Sequence, residues 1–579
     1  MCAQQSNPEG EGQSTFQRTL VTAALPYANG DIHLGHLAGA YLPADIYVRF
    51  LRLRGEEVLF ICGTDEYGVP ITLAAEKQGI TPKELVDHNH ETIKQSFADF
   101  GVSFDNFSQT SRDIHTETSS AFFTDLHAQG LLKQKTIEQF YSPSLQRFLA
   151  DRYIEGTCPK CQSEAARGDQ CEACGTSLNP TDLVDPYCVI DRSPLELRPT
   201  THWFLPLGDW QERLETWIKA RPDWKENVLQ YCRSWFKDGL EDRAVTRDLH
   251  WGVPVPLPEH DGKVLYVWFE APVGYVSSTR EWAQAQGDPE SWRTWWQDDD
   301  TRLIHFIGKD NVVFHALMFP AMLMAHSEHW VLPDNVPANE FLNLEGQKLS
   351  TSRGFAVWLG EYLSKFPADP LRYTLARNLP ETRDMNFTWD GFLARNNNEL
   401  GNNFGNFFNR VLTFCHRYFD GQVPDWSDDA MTDLDRTALA EVQEHLDQYA
   451  RHLDRFEIKA AMEECFHAGQ VGNRYFDESA PFRTRKDDMA RCGQSLAVAL
   501  QIVRQLAVML APVVPFAMEK VWGWLGMETA LWAGGWTEGL EDLPAGRPLG
   551  KPEILFPRFE ETAIQEEVDK LRRLLADQE

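Results

Sequence analysis

Residues 19–24, TLVTAA, form a short apolar run rich in β-branched side chains. Such a run predicts a buried strand. The loop LPYANGD follows, with Pro26, Asn29 and Gly30 as breakers. From Ile32 to Leu53 the spacing of apolar positions is helical, and Gly55 ends it. VLFICGTD is a second buried-strand candidate. Strand, helix, strand in so short a stretch is a βαβ unit, which predicts a parallel sheet covered by helices. A third strand is expected at 302–310, followed by an apolar helix from Val312 to Ala325. VLYVWFEAP and HWVLP read as flanking strands. The first part of the sheet is thus expected to end near residue 125 and the second to begin near 240. Beyond residue 357 the pattern changes. DPLRYTLARNL and the stretches 392–419, 433–455, 458–477 and 487–511 all read as helix, which predicts an antiparallel bundle. EILFPRFE reads as a returning strand, and the last sixteen residues as a charged helix.

Composition narrows the class. The chain has 579 residues, 42% apolar and 24% charged, so it is globular and long enough for about three to five domains. Its net charge of −31 argues against a protein that coats polyphosphate, though a local basic stripe is still compatible with a nucleic acid. Arginine outnumbers lysine. Abundant acid with scarce Lys suits a salt-rich cytoplasm as well as it suits a merely acidic protein. The start, MCAQQSNPEGEGQST, has no basic stretch before an apolar core, so no secretory signal is read there and a cytoplasmic protein is expected. The apolar stretch 496–518 is interrupted by Arg504, Pro512 and Pro515, which predicts a buried helix and not a membrane span.

Three motifs carry chemistry. The first is HLGH, His33 to His36, at the expected start of a helix. Free N–H groups there suit phosphate, and residues three apart share a face. Gly35 removes a side chain between the two rings. Alone, the pair reads equally as surface or metal-ligand histidines. The second is KLSTSRG, 348–354, a flexible loop with a cation at each end that can close over a triphosphate or simply be solvated. The third is Cys158-x2-Cys161-x9-Cys171-x2-Cys174. Two C-x2-C pairs in one short loop are a strong zinc signature, and four thiolates saturate a tetrahedral ion. One structural Zn2+ is therefore expected.

HLGH and the K-x-S-x-S loop together resemble the two signatures of class I aminoacyl-tRNA synthetases. LPYANGDIHLGH, FICGTDEYGVPI, VWFEAPVGY, HFIGKDNVVFHALMFPAML and DPLRYTL resemble the methionyl-tRNA synthetase family, in family order. The resemblance implies an α/β chain. A Rossmann-like catalytic domain (16–125 and 239–335) would be split by a zinc-knuckle insertion (126–238). A signature-loop and stem-contact region (336–395), a helical anticodon-binding bundle (396–545) and a C-terminal strand and helix (546–579) would follow a lead-in of residues 1–15. It implies ligation of L-methionine to tRNA(Met), initiator and elongator, with ATP as its Mg2+ complex. Leu25, Tyr27, Trp268, Ala271, Pro272, Tyr275, Phe314 and His315 match the family's methionine pocket, and Asp65 the group that binds the ammonium. His33, Gly35, His36, Lys348 and Thr351 fall on the ATP site. Arg247, Asp310 and Arg353 match residues near the reacting groups. Asn406, Arg410 and Phe482 match anticodon readers, and a monomer is expected. Two departures stand out. Thr351 replaces the second signature lysine, which leaves Lys348 and Arg353 to carry the charge. Asn311 takes a position that is aliphatic in some members of the family. The acidic total then requires tRNA to bind along a narrow positive strip joining Arg410 to His36. The nearest alternatives are a cysteine ligase, whose zinc would have to touch substrate, and a synthetase-like protein that binds tRNA without activating an amino acid.

Overall fold

The computed structural model describes residues 16–149, 153–164, 166–168, 171, 174, 178, 180–258, 262–350 and 354–576. The lead-in, Thr351 and Arg353 lie outside them. Strands β1 (Arg18–Ala23), β2 (Glu57–Thr64) and β3 (Asn106–Gln109) pair in parallel. The chain then leaves the sheet through β4 (Lys133–Ser142) and β5 (Glu196–Leu205), an antiparallel pair that frames the insertion. It returns as β6 (Thr301–Gly308) and β7 (Ala338–Asn339), giving the parallel order β7-β6-β1-β2-β3. The order reverses between β1 and β6, so the carboxyl ends of these strands open a crevice, the usual ligand position in such sheets. Leu20, Val21, Leu59, Phe60, Ile61, Leu303 and Ile304 are all buried. Burial on both faces explains why these strands read as unbroken apolar runs.

Three expected strands do not form. VLYVWFEAP contributes only Val264–Leu265 to a strand and then turns helical at Val267–Glu270. A continuous apolar run has no period that separates strand from buried helix. HWVLP forms no strand. Trp330 packs instead on Trp292, Trp296 and Phe122, while β7 takes the edge of the sheet. EILFPRFE is irregular. Side chains of Asn396 and Asn397 satisfy its backbone at Pro557 and Phe559, where a partner strand would otherwise be needed.

Helix α1 (Leu42–Leu53) covers the sheet, and α2 (Ala368–Ala376) joins it to the bundle. Arg372 is fully buried, and its guanidinium holds Asp45 of α1 at 2.6 Å and the carbonyls of Pro512 and Val513. The remaining major helices are α3 (Asn406–Tyr418), α4 (Asp433–Asp454), α5 (Ile458–Ser479), α6 (Met489–Leu510) and α7 (Glu561–Ala576). Helix α6 is long and apolar enough to cross a membrane, yet it is wholly enclosed by its neighbours. It is the core of the bundle, as the interrupted apolar stretch predicts.

Candidate active site

The loop after β1 and the end of β2 are stitched together. The Asp65 N–H donates to the Pro26 carbonyl at 2.9 Å, and the Ala28 N–H to the Asp65 carbonyl at 2.8 Å. Tyr27 is thereby laid beside Asp65, and its hydroxyl donates to the Tyr67 carbonyl at 2.5 Å. The Asp65 carboxyl is buried, and burial pushes its pKa well above the usual carboxylate range, with the nearby Glu270 adding to the effect. Beside these residues lies a cavity of about 690 Å³, lined among others by Tyr27, Arg247, Trp251, Tyr266, Trp268 and Phe140 of the insertion. Arg247 lies over the Tyr266 ring at 3.9 Å. Trp268 stacks on Phe314 at 4.0 Å with rings 7° from parallel. Ala271 and Pro272 are buried, and Leu25 reaches toward Gly274.

Hydrogen bonds fix the state of His315. Its Nδ1 lies 3.0 Å from the Asn311 carbonyl, which can only accept, so Nδ1 carries the proton. Nε2 is then an acceptor, and the Tyr275 hydroxyl donates to it at 2.7 Å. Burial brings the pKa of His315 down to about 4, which keeps the ring neutral. The substituted Asn311 thus contributes through its backbone, which any residue there could supply.

The HLGH turn is built in the same way. His33 caps the helix: the Gly35 N–H donates to its Nδ1 at 3.1 Å, and its own N–H donates to His36 Nδ1 at 3.2 Å. The two rings stack at 3.8 Å. Burial lowers the pKa of His33 to about 4 and holds His36 well below the usual imidazole range, the latter helped by His33. Both rings are neutral and both Nδ1 atoms accept, so each proton sits on Nε2 as a donor. The second motif lies against the first. Leu349 Cδ1 is 2.8 Å from where a Gly35 β-carbon would stand, and segment 355–359 bonds back to Ile32 and Leu34. Lys348 is exposed on a short strand, with its ammonium 5.2 Å from the Phe341 ring. Asp310 has a raised pKa because burial outweighs the opposing charges of Lys309 and Lys348.

The four cysteines converge elsewhere. Their sulfurs all lie within 4.8 Å of one another, with Cys158–Cys174 at 3.9 Å and Cys161–Cys171 at 3.5 Å. A tetrahedral zinc with Zn–S of about 2.3 Å needs sulfurs about 3.8 Å apart, so the donor set and spacing fit a structural zinc. Cys158 and Cys171 belong to a small separate core of the insertion, and none of the four lines the cavity.

The family model described as "tRNA synthetases class I (M)" matches residues 19–412, and that for the "Anticodon binding domain of methionyl tRNA ligase" matches 423–572. The chain is 50% identical over 563 residues to a methionine–tRNA ligase of Bacteroides fragilis, covering 96% of this chain and 81% of the relative. It is 51% identical to one of Porphyromonas gingivalis over 562 residues, with the same coverage. It is similar to the solved Mycobacterium tuberculosis methionyl-tRNA synthetase in complex with methionyl-adenylate, with a TM-score of 0.78 and 27% identity over 94% of this chain and 100% of that one. The chain belongs to the methionyl-tRNA synthetases.

In this methionyl-tRNA synthetase, Asn406 and Arg410 lie one turn apart on α3, with Asn406 exposed. Arg410 is ion-paired with Asp477 at 2.5 Å and lies over Phe476. Phe482 is exposed. Around these residues Arg483 lies over Phe482, and Arg417 and Arg485 both lie over Tyr418. This cluster of cations on aromatic rings was not singled out from the sequence, where its members look like scattered surface arginines. Three more residues escape sequence reasoning. Glu270 falls between the pocket residues Trp268 and Ala271, a position that could have flagged it. It pairs with His115 at 2.6 Å in full burial, yet His115 reads as an ordinary helix residue. Lys309 lies 3.9 Å from the same Phe341 ring that Lys348 approaches.

Proposed function

We propose that the two half-reactions of a methionine–tRNA ligase divide among these residues as follows. The Asp65 carboxylate takes the methionine ammonium, and Tyr27, Trp268, Phe314, Leu25, Ala271 and Pro272 enclose the side chain. A thioether is polarizable and favours aromatic edges. The neutral Tyr275–His315 pair offers it polar contact without charge. ATP enters as its Mg2+ complex across the HLGH turn. The methionine carboxylate attacks the α-phosphate, the bond to the β-phosphate breaks, and pyrophosphate leaves. His33 and His36 donate from Nε2 to the phosphate oxygens, and Lys348 and Arg353 hold the departing charge. No proton transfer is needed, so rate comes from positioning and electrostatic stabilisation. A hydroxyl of the terminal ribose of tRNA(Met) then attacks the methionyl carbonyl carbon, the bond to the phosphate breaks and AMP leaves with the hydroxyl's proton; Asn406, Arg410 and Phe482 select that tRNA by base-edge contacts and stacking.

The observation that supports this reading is the contact of Leu349 with the HLGH turn, which brings the two signature motifs together. Pyrophosphate exchange with each of the twenty amino acids tests it. Exchange with methionine alone is expected. Exchange with none would leave a tRNA-binding protein, and dependence on another amino acid would reassign the pocket.

A further inference from the structure

Away from the active site, α4 and α5 form an antiparallel hairpin that reverses at Phe456, a residue held at φ 61°. His445 and His467 lie equally far from that reversal, one on each helix, so the antiparallel register sets them side by side. Their ring centroids are 5.8 Å apart. Glu464 stands three residues before His467 on α5, hence on the same helix face. Its Oε2 lies 2.6 Å from His445 Nδ1. One donor atom from each of the three residues falls within 4.8 Å of the others. All three are half-buried, so their rotamers are restrained while one side stays open to solvent.

We propose that His445, Glu464 and His467 form a second divalent transition-metal site, separate from the four cysteines. Two imidazoles and one carboxylate are a nitrogen–oxygen donor set that suits Zn2+ or Co2+ and leaves a coordination position for water. Glu-x-x-His on one helix facing a ligand on its neighbour is the arrangement by which helical bundles hold metal ions. An outer partner is in place: His467 Nε2 lies 3.6 Å from Glu463, which can orient the ring. Glu463 also accepts from Arg377 at 2.6 Å, and Arg377 holds Glu399 at 3.1 Å just past the end of α2. The ion would therefore bolt the hairpin one residue from the ion-pair network that ties the bundle to the catalytic half. Binding stabilises the folded chain because the ligand on α4 and the two on α5 are brought together only by folding.

The test uses the full chain with zinc already in its cysteine cluster. Titration with Co2+ is expected to add one ion per chain, with weak visible bands of nitrogen–oxygen coordination and no thiolate charge-transfer band. It should also raise the unfolding temperature. His445→Ala and His467→Ala should each weaken this binding at least tenfold and abolish the thermal shift. His452→Ala, which removes a histidine paired with Glu457 on the same hairpin, should leave both unchanged. Methionine-dependent pyrophosphate exchange should be the same in all of them. Absence of a second ion, or binding that survives in both cluster variants, overturns the proposal.

Discussion

The catalytic cleft and the outer face of the helical bundle are built on opposite plans. The cleft draws on segments from both halves of a split sheet, and its groups are buried: Asp65, Glu270, His115 and His315 are all nearly or fully removed from solvent. The bundle face presents residues from α3 and from the short helix Pro481–Asp487 after α5, at least partly exposed and carried on aromatic rings. Buried polar groups cost stability unless each has its partner, so the cleft is rigid and intolerant. Exposed cations cost little to display and act on a highly charged partner. Changes in the cleft should therefore strike catalysis, and changes on the bundle face should strike tRNA affinity alone.

The largest effect is expected at Asp65. Removing the counter-charge of a buried ammonium costs about 3–5 kcal/mol, so Asp65→Ala should lower kcat/KM for methionine in exchange by at least about a hundredfold. The same residue ties activity to pH. Its folded pKa is raised, so the KM for methionine should climb as pH falls, beginning above the range of an ordinary aspartate. A raised pKa also means that the folded chain favours the protonated acid: its contribution is full at low pH and is lost as pH rises through the folded value. At neutral pH, Asp65→Asn should thus raise the unfolding temperature while abolishing exchange. A fall in both would show that the carboxylate is a structural tie.

Lys348→Ala should slow exchange by about a hundredfold, the scale of losing one preorganised donor to developing charge. The side chain is exposed, so thermal stability should not change. Unimpaired exchange would shift the whole pyrophosphate load to Arg353 and Lys309. On the other face, Arg410→Ala should raise the KM for tRNA about tenfold, as loss of one base contact does, and flatten its salt dependence, with exchange untouched. Phe482→Ala should raise the same KM by less, about fivefold, the lower end of the about 1–3 kcal/mol a stacking contact is worth, and should leave the salt dependence unchanged because no charge is lost. If either bundle variant reduces exchange without tRNA, the two regions are coupled and the contrast between them fails. The Arg372–Asp45 pair is where such coupling would run.

Much of this was legible in the chain itself. The three central strands and the helices expected at 433–455, 458–477 and 487–511 fall within a residue or two of their expected limits, because full burial and helical period are properties of local sequence, whereas the stretch expected as one helix over 392–419 winds as a π segment over Arg395–Gly405 before α3 begins. The cysteine cluster was equally plain, since knuckle spacing is a local matter. The widened helical turns near the site were less so. Leu37–Tyr41 and Val313–Met318 wind with wider π-helical bonds, and the second of these places His315 under Tyr275. No 3.6-residue pattern announces a π segment. The strand expected at VLYVWFEAP became a helix because its neighbours, and not its own composition, decide which face is buried.

Sequence by itself determined the order of the central strands and bundle helices, the four-cysteine cluster and the identity of the two signature motifs. It also determined that the histidines of HLGH share one face. Tertiary structure alone decided their charge. Backbone groups two to four residues away fix which nitrogen bears the proton on His33, His36 and His315, but burial under the rest of the fold keeps the rings neutral. The pairing of Glu270 with His115 and the meeting of His445 with His467 are of the same kind. A titratable side chain takes its charge state from what surrounds it, and those surroundings come from segments that are distant along the chain.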